Sequence, residues 1–134
     1  MIGRILQIKG KTVSDVNAHE KLDKQMTLDQ IQNYMLNMSQ IRGFTHDTSA
    51  ETMLILLEEV GELAKALRKH SGMKVDHTRL SSYGNLKHEM ADVCICLMML
   101  ANKCHINLFE ALDEKEQINS QRTWHSEQSK KYVG

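Results

Sequence analysis

No proline interrupts this 134-residue sequence, and its seven glycines fall mostly between stretches of three-to-four-residue apolar periodicity. A chain so free of helix breakers suits helices joined by short loops. The pattern predicts four of them. The first is expected from Thr27, whose spacing to Gln30 is that of a capping box, with Leu28, Ile31, Met35 and Met38 on one stripe and a stop near Gly43. The second is expected from Thr48, with Glu51 as its reciprocal cap, to about His70, where Ser71-Gly72 permits a left-handed ending. A polar loop over roughly 71–84 leads to a third helix, capped by Asn85 and running to about Cys104. The fourth opens at Asn107, with Glu110 in capping position, and extends to about Arg122. The expected fold class is all-α, a four-helix bundle.

The length predicts one domain. Residues 26–125 form the expected helical domain, and 126–134 a polar tail. Within residues 1–25, Ile2, Ile5, Leu6 and Ile8 fit a short strand, an exchanging arm or a leader before Met26, and the pattern does not choose among them. Lys plus Arg equals Asp plus Glu at 17 each, so the chain has no basic surplus for a phosphate backbone, which argues against nucleic acid as a partner. The longest apolar stretch, Val93 to Ala101, is about half the length of a membrane span, and the first residues lack the pattern of a secretory signal. The three cysteines, Cys94, Cys96 and Cys104, sit in a mostly apolar helical stretch and are expected as reduced core residues of a cytoplasmic protein.

The chemistry lies in two acidic pairs. On the second helix Met53, Leu56, Leu57, Val60, Leu63, Ala64 and Leu67 make a wide apolar face, which Glu59 and Glu62 border three residues apart. Gly61 between them costs helix stability of about 1 kcal/mol relative to alanine, which suits a close approach by a ligand or another backbone. On the third helix Glu89 and Asp92 repeat the spacing, and Asp92 opens the run Val93 to Leu100. A helix apolar nearly all round is expected to be central and buried. A carboxylate at the edge of that run needs a cation, a hydrogen-bond network or a proton. If the two helices pack antiparallel, four carboxylates converge, and hard oxygen donors select Mg²⁺, or Mn²⁺, over zinc. On the fourth helix Leu108, Leu112, Lys115, Asn119 and Arg122 share one face, so an apolar stripe turns polar and cationic midway: either it aims these residues at substrate phosphates, or the helix leaves the core there and they meet water.

Glu58-Glu59-Val60-Gly61-Glu62-Leu63, then 26 residues, then Glu89-Met90-Ala91-Asp92-Val93, with the later Lys115, Asn119 and Arg122-Thr123-Trp124, resembles the MazG-like nucleoside triphosphate pyrophosphohydrolases. The resemblance runs from about Leu28 to Trp124. It implies a four-helix module assembled as a homodimer or homotetramer that cleaves a nucleoside or deoxynucleoside triphosphate between its α- and β-phosphates with Mg²⁺. By motif position it makes Glu59, Glu62, Glu89 and Asp92 the metal ligands, Glu58 an accessory carboxylate, and Lys115, Asn119 and Arg122 the phosphate-binding residues. Several relatives carry tryptophan-rich sequence before the second helix, where this chain has Arg42-Gly43-Phe44-Thr45-His46, so its base pocket is expected to differ. Tyr34, Met38 and Ile41 are alternative pocket residues with a plain core reading beside it, and His46, His70, His77 and His88 are expected to be exposed. Two rivals are weighed. A di-iron carboxylate bundle would need Glu-x-x-His pairs, which neither acidic motif supplies, and a non-catalytic oligomeric nucleotide-binding module would keep the bundle without the reaction.

Overall fold

A computed structural model describes residues 21–124 of the chain and shows helices and connecting turns over that span. Residues 1–20 and 125–134, with the arm and tail expected there, lie outside the described residues. Four α-helices follow one another: α1, Leu28–Ile41; α2, Ser49–His70; α3, Leu86–Lys103; and α4, Leu108–Ser120. A short 3₁₀ helix, His77–Ser82, interrupts what the sequence suggested would be an irregular polar loop. Asp76 starts it by accepting hydrogen bonds from the Thr78 backbone and hydroxyl.

Local chemistry fixes each end. Thr27 and Thr48 both form complete capping boxes, with the side-chain oxygens of Gln30 and Glu51 accepting from the cap N–H groups at 2.7 Å. Asn85 and Asn107 cap α3 and α4 through their side-chain oxygens. At their other ends α1, α2 and α3 finish alike, the chain turning through one left-handed residue whose successor bonds back across six residues: Phe44 to Ser39, Met73 to Arg68, and Ile106 to Ala101. Gly43 and Gly72 supply that residue in the first two, at φ +86° and +68°. His105 supplies it in the third, at φ +56°, a conformation that costs a residue with a Cβ roughly 1–2 kcal/mol.

Helix α3 lies between α2 and α1, and packs most extensively on α2. The α2–α3 pair is antiparallel: the Lys103 ammonium, at the end of α3, donates to the carbonyls of Phe44 and Asp47 just before α2 begins, at 3.0 and 2.6 Å. Thr52, Leu56 and Ala66 of α2, Cys96 and Ala101 of α3, and Met35 and Met38 of α1 form the buried centre. One polar residue is built into it. Gln32 donates to Asn102 Oδ1 (3.0 Å) and to the Ile106 carbonyl (2.7 Å), and accepts from the Leu108 backbone N–H (2.9 Å). Asn102 donates back to the Gln32 carbonyl. This exchange ties α1 to the α3–α4 turn, and α4 leaves that turn at 100° to α3.

The structure corrects four expectations. Helix α4 rests chiefly on α1 and turns away from α2 and α3, so within one chain it is not the fourth member of a parallel-sided bundle. Helix α3 is central but only partly covered, with Met90 and Leu97 52% and 45% exposed. The wide apolar face of α2 is likewise only half used. Leu56 enters the core, whereas Met53, Leu57, Val60 and Leu67 stay exposed on an adjoining stripe. Of the cysteines, Cys96 alone is buried; Cys94 and Cys104 are exposed, and all three are free thiols. Among the described residues no single helix is long and apolar enough to cross a membrane.

Candidate active site

The α2–α3 interface brings the two acidic motifs together. Packed antiparallel, the middle of α2 meets the first turns of α3, and carboxylate oxygens of Glu59, Glu89 and Asp92 lie within 4.8 Å of one another. The position of each follows from helix geometry. Glu59 follows Leu56 by three residues and precedes Ala66 by seven, so it shares the side that α2 presents to α3. Asp92 precedes the buried Cys96 by four and so points the same way from α3. Glu89 is in the first turn of α3, where the positive end of the helix dipole favours a negative charge.

The carboxylates of the cluster repel one another. The Glu59 carboxyl is held above its ordinary 4.5, first by burial, then by the negative charges of Asp92, Glu89, Glu58 and Glu62. Burial also pushes the Cys96 thiol up, and the neighbouring charges of Glu59 and Asp92 add to it. Three oxygens within 4.8 Å fit a hexacoordinate cation with metal–oxygen distances of about 2.1 Å, which separates opposed ligands by about 4.2 Å. The set is oxygen-only and hard, so it suits Mg²⁺ or Mn²⁺ chemistry better than zinc or iron. No histidine joins it among the described residues, against a di-iron centre.

Not every predicted residue converges. Glu62 is half-buried and sits outside the cluster of three. Its carboxylate pairs instead with Lys65 at 3.5 Å, in the one ion pair among the described residues. Glu58 is exposed beside Glu59. Lys115, Asn119 and Arg122 lie along or just beyond α4, which is bent 100° from α3 and packs chiefly on α1, and none of them belongs to the carboxylate cluster. Lys115 is exposed, and the Arg122 guanidinium lies 6.0 Å from the Trp124 ring centre. Tyr34 is half-buried, Met38 is core and Ile41 is 50% exposed. His46, His70, His77 and His88 are exposed, as expected. Gly61 has no close neighbour among the described residues, since a Cβ there would meet nothing within 4 Å.

Two features escaped the sequence. The Lys65 ammonium lies 5.3 Å from the centre of the Tyr83 ring as well as against Glu62, so the segment before α3 is fastened to α2 beside the second motif. Its three-residue spacing from Glu62 was a visible signal; the partnership with Tyr83, across a loop, was not. Gly84 also abuts Glu89, which no local pattern announces.

Two concavities, of about 630 and 540 Å³, lie elsewhere: one at the end of α2 beside Lys69, Met73 and Leu80, the other between α1 and the α3–α4 turn. Neither includes a carboxylate of the cluster.

The structure resembles the crystal structure of YPJD from Bacillus subtilis, provisionally named a pyrophosphatase, with a TM-score of 0.64 and 26% sequence identity over 75% of this chain and 100% of that one. No curated protein sequence matches at comparable stringency. Residues 47–122, more than half of the chain and the whole stretch that carries both acidic motifs, match the MazG nucleotide pyrophosphohydrolase domain. With Glu59, Glu89 and Asp92 gathered where those motifs meet, the chain belongs to the MazG family and is a hydrolase of nucleotide pyrophosphate bonds.

Proposed function

We propose that this protein is a Mg²⁺-dependent nucleoside triphosphate pyrophosphohydrolase, splitting an NTP or dNTP with water into the monophosphate and pyrophosphate as a housekeeper of the nucleotide pool. The observation that carries the reading is the convergence of Glu59, Glu89 and Asp92 from two antiparallel helices. Repulsion in such a set is relieved by a divalent cation, and Mg²⁺ characteristically binds through few carboxylates plus substrate phosphates.

When bound, the cation supplies positive charge to the phosphate oxygens and lowers the pKa of an attacking water. The chain's own residues do the rest. Glu59, Glu89 and Asp92 hold the ion, and Glu62 completes the set once it releases Lys65. Glu58, exposed beside Glu59, would orient water. Lys115, Asn119 and Arg122 bind the phosphates and stabilise charge on departing pyrophosphate.

Those cationic residues serve a site in a second copy of the chain. Helix α4 diverges from its own α2 and α3, while Phe109, Leu112 and Ile118 on it are 54–60% exposed. The exposed stripe Met53, Leu57, Val60 and Leu67 on α2 is a second uncovered apolar surface beside the carboxylates. Exposed apolar patches on this scale mark interfaces, and self-complementary ones close as dimers. A homodimer, or a tetramer built from it, covers both. The reading includes a cytoplasmic setting and no nucleic-acid or membrane partner.

The test is a screen of canonical and modified nucleoside triphosphates with Mg²⁺, following monophosphate and pyrophosphate by chromatography. The reading expects equal yields of the two products from at least one nucleotide, and none in EDTA. Release of orthophosphate instead would overturn it. A non-catalytic nucleotide-binding module would bind without turnover.

A further inference from the structure

Glycine 84 sits one residue before the cap of α3, and its backbone is not in the left-handed region, so no conformational demand explains it. What explains it is Glu89. A Cβ built at position 84 would fall 2.7 Å from Cδ of Glu89, 3.3 Å from its Cγ, and would overlap Oε1 outright. The three nearest atoms all belong to that one side chain. Side chains on a helix lean toward its N-terminus, so Glu89, in the first turn, lies back over the entry to α3 and places its carboxylate where a side chain at 84 would be. The entry segment is itself fastened from the other side, since the Tyr83 ring takes the Lys65 ammonium of α2 at 5.3 Å.

The geometry points to Gly84 as a positioning residue for the metal centre: by carrying no side chain it lets the Glu89 carboxylate fold back to the place from which it joins Glu59 and Asp92. This rests on the metal-binding reading given above and adds to it a residue outside the acidic motifs. Gly84→Ala removes no ligand and forbids no backbone conformation. The atom it strikes is the free end of a flexible side chain, so the fold yields by turning Glu89 to another rotamer. The cost falls on the ligand set, not on the bundle.

The test titrates Mn²⁺ into the full-length protein by calorimetry, with far-UV circular dichroism and urea unfolding in EDTA alongside. Gly84→Ala is expected to weaken Mn²⁺ binding by about 10- to 100-fold, the usual cost of losing a group that orients a ligand, with helicity unchanged. A double-mutant cycle separates positioning from a general structural role. Glu89→Ala removes all three atoms that a side chain at 84 would strike, and in that background Gly84→Ala is expected to change the residual Mn²⁺ affinity less than about twofold. Wild-type affinity in Gly84→Ala, or equal losses in both backgrounds, would overturn the assignment. If Gly84→Ala does not fold, the cost falls on the bundle and not on the ligand set, and the proposal is overturned. A wild-type protein that binds no Mn²⁺ sinks the metal reading itself, and this assignment with it.

Discussion

Glu59→Gln is expected to stabilise the metal-free protein while abolishing its response to divalent cations, two effects of opposite sign from one oxygen-for-nitrogen exchange. Glu59 faces Glu89 and Asp92 with carboxylate oxygens within 4.8 Å. Two unit charges at that separation repel by about 3.5 kcal/mol at an effective dielectric constant of about 20. The groups are partly open to water, and screening brings each interaction down to about 1 kcal/mol or less. Removing one charge of the three therefore gains about 1–2 kcal/mol at neutral pH. The pH dependence follows from the direction of the shift. Glu59 titrates above its ordinary 4.5 in the folded chain, so the folded state binds its proton more tightly than the unfolded state. Its contribution to stability is full below that value and is lost as pH rises through the raised pKa. Urea unfolding in EDTA is thus expected to show wild type weakening from about pH 4.5 upward relative to Glu59→Gln, so that the variant is the more stable at pH 7. Mg²⁺ at a hundredfold excess over its dissociation constant reverses the order by stabilising wild type about 2.7 kcal/mol. A variant less stable than wild type in EDTA at pH 7, or one stabilised equally by Mg²⁺, would refute the argument.

Other outcomes follow from particular contacts. Gln32→Ala leaves the Ile106 carbonyl and the Leu108 N–H without their partner, at about 1–3 kcal/mol each, so urea unfolding is expected to show a loss of about 3–5 kcal/mol; a loss under about 1 would mean that water replaces the amide. His105→Gly removes the left-handed strain at φ +56° at some cost in unfolded-state entropy, for a net gain of about 0.5–1 kcal/mol in the same assay, and a loss would contradict the strain argument. If α4 serves the partner's site, Asp92→Asn and Arg122→Ala, each inactive alone, should complement when unfolded and refolded together, restoring about a quarter of wild-type pyrophosphate release through mixed dimers; no recovery would place Arg122 in its own chain's site or outside any.

Sequence resolved the helices and both acidic motifs because each is a local statement. Capping boxes at Thr27 and Thr48, asparagine caps at Asn85 and Asn107, and glycine stops at Gly43 and Gly72 involve residues within six of one another, and all of them formed. The pairing of Glu59 with Glu89 and Asp92 was legible because both motifs sit beside apolar runs that pack together. What was not legible was non-local. The direction of α4 depends on Gln32 gripping the α3–α4 turn and on a left-handed residue that is histidine rather than glycine, so the usual mark of a sharp turn was missing. Apolar periodicity could not say which half of the α2 face is covered within the chain, since Leu56 and Leu57 read alike but one is buried and the other exposed. Glu62 shares its motif with Glu59, yet its partner is Lys65, a choice made by side-chain rotamers that spacing does not encode.

The claim on which the rest depends is that Glu59, Glu89 and Asp92 hold one divalent centre between α2 and α3. Crystals grown with Mn²⁺ and measured at a wavelength where manganese scatters anomalously test it directly. The account predicts an anomalous peak bonded to carboxylate oxygens of all three residues. Peaks only elsewhere, with these side chains turned apart into solvent, would contradict it.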